Sequence, residues 1–179
     1  LGIGPVIESG FYYDFLLPRP LASDDIKELQ KEMKRLIGAR LQISGEKITQ
    51  LKAKKIFADQ PFKLELIKDF VKEKKDITIY HTGDVFTDLC KGGHVSNTSE
   101  INADAFQLTT IAGAYWKGDE KNKQLQRIYG LAFATKKELD DYRAMLEEAK
   151  KRDHRKLGQD LDLFTFSELV GPGLVLWTP

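Results

Sequence analysis

The sequence specifies an α+β protein: an antiparallel sheet wrapped by helices, followed by a long linker helix and a short, truncated segment of a second domain. Three observations carry that expectation. Short β-rich segments bounded by glycine turns recur through the first 135 residues, amphipathic segments with helical spacing lie between them, and the pattern then changes to one continuous helix. The expected organisation is a first domain over 1–135, a linker helix over 136–160, and the start of a further domain over 161–179.

Residues 3–15 alternate loosely and group Phe11, Tyr12 and Tyr13, which predicts a strand pair turning at Glu8-Ser9-Gly10. Ser23 is a candidate helix cap with Asp24 and Asp25 in the first turn, where the positive end of the helix dipole favours carboxylates. Ile26, Leu29, Met33, Leu36 and Ile37 then recur on one face, and Gly38 can end the helix. Leu41 and Ile43 read as part of a half-buried strand, Thr49 as the cap of a short helix reaching Phe57, and residues 62–71 as another helix after Pro61. Residues 76–81 and 85–88 form a predicted hairpin about Gly83-Asp84, because glycine tolerates positive φ. Residues 106–112 and 124–133 are expected to pair antiparallel at the centre of the sheet. Leu139, Tyr142, Leu146 and Ala149 share a stripe on a single helix expected from Lys136 to Leu157, a stripe that predicts docking on the preceding domain. Gly171-Pro172-Gly173 before residues 174–177 opens the last segment.

Composition narrows the function classes. The chain of 179 residues is 41% hydrophobic and 31% charged, which excludes collagen-like and wholly disordered classes. No apolar run approaches the 18 or so residues of a membrane span, so no membrane association is expected. A net charge of +1 means that an anionic partner must use local patches. The single cysteine, Cys90, forms no internal disulfide and suits the reducing cytoplasm.

Chemistry concentrates in residues 87–94 (TDLCKGGH), where a strand gives way to a glycine loop. Cys90 and His94 are spaced C-x-x-x-H, only half of a tetrahedral zinc set, and on spacing alone the simpler reading is a small buried thiol and a loop histidine with a satisfied hydrogen bond. A second group is Tyr115, Trp116 and Lys117 with Arg127 and Tyr129, which can stack on bases and neutralise phosphates or serve as core aromatics beside a solvated turn.

Five ordered blocks, residues 3–14 (IGPVIESGFYYD), 88–94 (DLCKGGH), 112–119 (AGAYWKGD), 125–130 (LQRIYG) and 151–158 (KRDHRKLG), resemble bacterial-type threonyl-tRNA synthetase over nearly the whole chain. The resemblance covers the second N-terminal domain, which edits mischarged tRNA, the connecting helix, and the first residues of the class II catalytic domain. It implies hydrolysis of seryl-tRNA(Thr), an error that arises because losing one methyl weakens binding by only about 1–3 kcal/mol. It implies catalytic roles for Lys63, Asp88, Cys90 and His94, and substrate contacts for Tyr13, with Tyr115, Lys117 and Arg127 reaching the tRNA. Lys63 would position or polarise water, Asp88 would hold the substrate's amino group, and Tyr13 with Cys90 would contact the terminal adenosine and aminoacyl group.

Two departures accompany the resemblance. The family pairs C-x-x-x-H with an H-x-x-x-H that this sequence lacks and that is expected upstream of Leu1, so a fragment without it is expected to hydrolyse weakly and to hold no metal. Gly93 stands where the family commonly has proline, which gives the backbone before His94 extra freedom. The resemblance further implies a longer parent that ligates threonine to tRNA(Thr) with ATP, magnesium and zinc, is cytoplasmic, and is a homodimer through a domain absent here. No cofactor is expected within this segment. The alternative is a non-catalytic tRNA-binding and docking module using Lys117, Lys121, Lys123, Arg127 and the basic end of the long helix.

Overall fold

The computed structural model describes residues 1–2, 4–166 and 174–178, which form two compact units, Leu1–Lys136 and Lys137–Pro179. Gly171-Pro172-Gly173 and Ile3 lie outside the described residues.

In the first unit β1 (Val6–Ile7) and β2 (Gly10–Phe15) turn back on each other at Glu8-Ser9, as the glycine and aromatic pattern requires. β2 pairs along its length with β7 (Gln124–Ala132), and β7 with β6 (Phe106–Tyr115), all antiparallel, in the order β1-β2-β7-β6. Thus β7 is central, but β6 is an edge, contrary to the expected central pair. The reason is visible in α1 (Ser23–Gly38), whose Gln30 side chain accepts from Leu108 N at 2.8 Å and donates to Phe106 O, so a helix rather than a further strand satisfies that edge. Ser23 is the first helical residue of α1. The flanking extended residue is Ala22, whose N–H donates to Asp25 Oδ2 at 2.6 Å, so a first-turn carboxylate does the capping.

A second antiparallel sheet follows, so the single expected sheet is in fact divided. It contains β3 (Ile43–Ile48), β4 (Ile77–Thr82) and β5 (Phe86–Leu89) in that order. The β4–β5 hairpin turns at Gly83, whose φ of 53° is left-handed. α2 (Gln50–Ile56) is capped by Thr49, which accepts from Lys52 N, and α3 (Pro61–Lys72) has proline at its start, where the missing N–H costs nothing. Ala53 and Phe57 from the α2 segment, Ile67 from α3, and Ile77 and Ile79 from β4 form one core, joined by the partly buried Phe70 and Leu89. Phe62, Trp116 and Leu125 form another.

Alternation along the hairpin decides where its polar side chains go. Ile77, Ile79 and Leu89 face the core, so Thr78, Tyr80, Asp88 and Cys90 share the other face. The register places Tyr80 opposite Asp88, and Cys90 N donates to Thr78 O at 3.1 Å.

The second unit corrects the expectation of one continuous helix to Leu157. α4 (Lys136–Lys151) ends where Arg152 N is shared between Glu148 O and Ala149 O, and α5 (His154–Asp160) begins with Leu157 N donating to Asp153 O at 2.9 Å. Lys150, Lys151 and Arg152 suit the end of a helix, where positive charge is favoured, and pair with Glu147 and Glu148, while Asp153 suits the start of a new one. β8 (Phe164–Phe166) and β9 (Val175–Trp177) pair antiparallel, with Phe164 and Trp177 edge to face.

Candidate functional site

Three elements from distant parts of the chain meet at Asp88. Lys63 on α3 occupies the stripe that also holds Ile67 and Phe70, so a cation sits where the helix pattern calls for an apolar residue. Its side chain is only 2% exposed. Burying an isolated ammonium is costly, and the charge is compensated by Asp88 Oδ1 at 2.5 Å. Lys63 Nζ also donates to the Tyr13 hydroxyl at 3.0 Å. Tyr13 in turn donates to Asp88 Oδ2, and Leu89 N donates to Asp88 Oδ1 at 2.7 Å. The three side chains close a triangle in which Asp88 accepts from every neighbour. Burial, and then the adjacent Asp88 carboxylate, push the Tyr13 phenol well above its ordinary value, so it remains a donor.

Beside this triangle, two residues on from Asp88 along the same strand face, Cys90 Sγ lies 3.0 Å from His94 Nε2. Gly92 (φ 111°) and Gly93 (φ 83°) both take left-handed backbone between the pair. Two zinc ligands held tetrahedrally at about 2.3 and 2.05 Å stand roughly 3.6 Å apart, farther than this thiol and imidazole. The pair as placed is a direct hydrogen bond, and among the described residues no three His, Cys, Asp or Glu side chains gather as a metal set.

The remaining candidates lie elsewhere. Register puts Arg127 beside Asp14 on the sheet face opposite to Tyr13. There it forms a two-pronged ion pair with the buried Asp14, at 2.7 and 2.9 Å, and lies 3.8 Å over the Tyr12 ring. Those hydrogen bonds, which Arg127 donates to Asp14, raise the guanidinium above its already high ordinary value. Lys117 bridges Glu65 at 2.6 Å and Asp69 at 2.5 Å on α3, and Trp116 is buried against Phe62 with its indole N–H on Glu65. Trp116 is therefore a core aromatic. Tyr115 is exposed at the end of β6.

One residue escaped the sequence reasoning. Tyr80 faces the same side as Asp88 and Cys90, and its ring centroid is 4.4 Å from that of His94. The hairpin carried part of the signal: the turn takes in three residues, 83–85, rather than Gly83-Asp84 alone, and counting outward from it places Tyr80 opposite Asp88.

The class defined here is an α+β domain in which a buried amine on a helix and a tyrosine from one sheet meet an acid on the other sheet, with a thiol–imidazole pair beside them. Residues 77–129 match the second additional domain of threonyl and alanyl tRNA synthetases, a span that includes Asp88, Cys90 and His94 while Tyr13 and Lys63 lie outside it. Over nearly all of its residues the chain is similar to part of threonine–tRNA ligases. It is 51% identical over 178 residues, 99% of this chain, to the threonine–tRNA ligases of Staphylococcus aureus strains JH9, Newman and JH1. The chain spans about a quarter, 27%, of the length of these curated relatives. No helix among the described residues is long and apolar enough to cross a membrane.

Proposed function

We propose that this chain carries a tRNA-editing esterase that hydrolyses the ester between serine and the 3′ end of tRNA(Thr). The observation that supports this most is the Lys63–Tyr13–Asp88 triangle beside the Cys90–His94 pair. In the reaction, water attacks the ester carbonyl carbon and a tetrahedral oxyanion forms; as the bond to the ribose oxygen breaks, a proton from the attacking water passes to that oxygen, releasing serine and a free tRNA hydroxyl. Lys63, an ammonium with donors only, orients that water or stabilises the oxyanion. Asp88 takes the substrate's α-ammonium, Tyr13 and Cys90 line the aminoacyl and adenosine side, and His94 holds the thiol. A pocket that rejects threonine by overlap with its methyl group completes the second sieve.

The longer protein is proposed to ligate threonine to tRNA(Thr) with ATP, magnesium and zinc, in the cytoplasm and as a homodimer. No residue described above is assigned to that reaction. A tRNA-docking module is the second reading, favoured by the exposed Lys121 and Lys123.

Hydrolysis of seryl-tRNA(Thr) by this chain, and by a longer form extended on its amino-terminal side, tests the first reading. The expected outcome is turnover in the longer form that Lys63→Ala or Cys90→Ala reduces, and weaker turnover by residues 1–179 alone. Turnover no faster than buffer in the longer form, with binding that weakens steeply with salt, would favour the docking module.

A further inference from the structure

Gly92 and Gly93 carry the chain from Cys90 to His94 through left-handed backbone, and His94 itself is exposed. Such a loop does little to hold an imidazole in one place. The Cys90–His94 contact therefore needs an external restraint, and β4 supplies one in Tyr80. Its ring lies 4.4 Å from the imidazole at an interplanar angle of 54°. The ring is confined in turn. On the neighbouring strand its register partner is Gly45, where a Cβ would come within 2.5 Å of Tyr80 Cζ. At the other end, a Cβ on Gly92 would meet the Tyr80 hydroxyl at 2.9 Å. Two glycines thus make room for this one ring, and the loop that bears His94 folds over it.

We propose that Tyr80 is a positioning residue whose ring holds the His94 imidazole against the Cys90 thiol, restoring the order that Gly93 gives up. Its bearing on hydrolysis rests on the editing reading, whereas the geometry does not.

Because Cys90 is the only cysteine in the chain, alkylation by iodoacetamide reports on it alone. An imidazole in contact promotes thiol reactivity, so His94→Ala is expected to slow alkylation about three- to tenfold. Tyr80→Ile, which keeps β propensity but removes the ring, is expected to slow it equally, and to add nothing in the His94→Ala background. Tyr80→Phe keeps the ring and is expected to restore the wild-type rate. Nuclear Overhauser contacts between the Tyr80 and His94 rings in the wild-type protein need no variant at all. Their absence overturns the proposal, as does a wild-type alkylation rate in a folded Tyr80→Ile protein. In the longer form, Tyr80→Ile should lower kcat on seryl-tRNA(Thr) about 10- to 100-fold with KM nearly unchanged, and Tyr80→Phe should recover it. Ring contacts without any hydrolysis would leave Tyr80 in its role and remove the editing reading instead.

Discussion

The ammonium of Lys63 on α3 and the carboxylate of Asp88 on β5 lie 2.5 Å apart, with side chains 2% and 14% exposed. With so little exposure, each charge is compensated chiefly by the other. Removing one partner leaves an uncompensated buried charge, which costs about 3–5 kcal/mol, whereas replacing both by apolar groups is often nearly neutral. Asp88→Leu should therefore lower the urea midpoint more than the double variant Lys63→Met/Asp88→Leu. Equal midpoints for the two would show that Lys63 finds solvent when Asp88 is gone.

Tyr13 gives this cluster a pH dependence at the alkaline end. Its folded-state phenol titrates above the ordinary value of 10, chiefly through burial and then through Asp88. A group with a raised folded pKa contributes stability that is complete below its unfolded pKa and is lost as pH rises towards the folded one. Stability measured by urea denaturation should thus fall above about pH 10, and Tyr13→Phe should flatten that part of the profile. An unaltered slope in Tyr13→Phe would assign the loss to other groups.

Gly93 has a φ of 83°, which proline, locked near −65°, cannot adopt. Gly93→Pro should reroute the loop, part His94 from Cys90, and slow Cys90 alkylation, with a stability change of about 1–3 kcal/mol. Gly93→Ala meets no neighbour within 4 Å and carries only the backbone strain, so it should perturb the pair less. Faster alkylation in Gly93→Pro would contradict this.

Arg127 compensates Asp14, which is 2% exposed, through two hydrogen bonds while stacking on Tyr12. Arg127→Ala should destabilise the first unit by about 3–5 kcal/mol, and Arg127→Lys by less, because lysine keeps the charge but not the fork. Thermal melts of both variants measure the order. Full stability in Arg127→Ala, combined with weakened tRNA binding, would show that this guanidinium serves RNA rather than the fold.

Much of the local structure was legible in the residues. Helical spacing located α1, Pro61 marked the start of α3, Thr49 that of α2, and Gly83 the β4–β5 turn, because each signal acts within a few residues. The break between α4 and α5 was less legible, since Arg152-Asp153 differs only slightly from the helical residues around it. Trp116 was ambiguous, since an aromatic beside lysine fits a core or an RNA surface, and its packing on Phe62 decides for the core. Lys63 carried a readable signal in its spacing with Ile67 and Phe70, but nothing local says which acid would meet it.

The residues by themselves determined most of the elements of the first unit, their order and the chemical types available at positions 88–94, because periodicity, turn propensity and side-chain chemistry are local properties. Tertiary structure alone decided that Tyr13, Lys63 and Asp88 converge, that Arg127 turns to the opposite face to meet Asp14, and that Tyr80 lies against His94. The physical reason is that burying a charge requires a partner in space, and strand pairing and sheet packing, not chain neighbourhood, choose that partner.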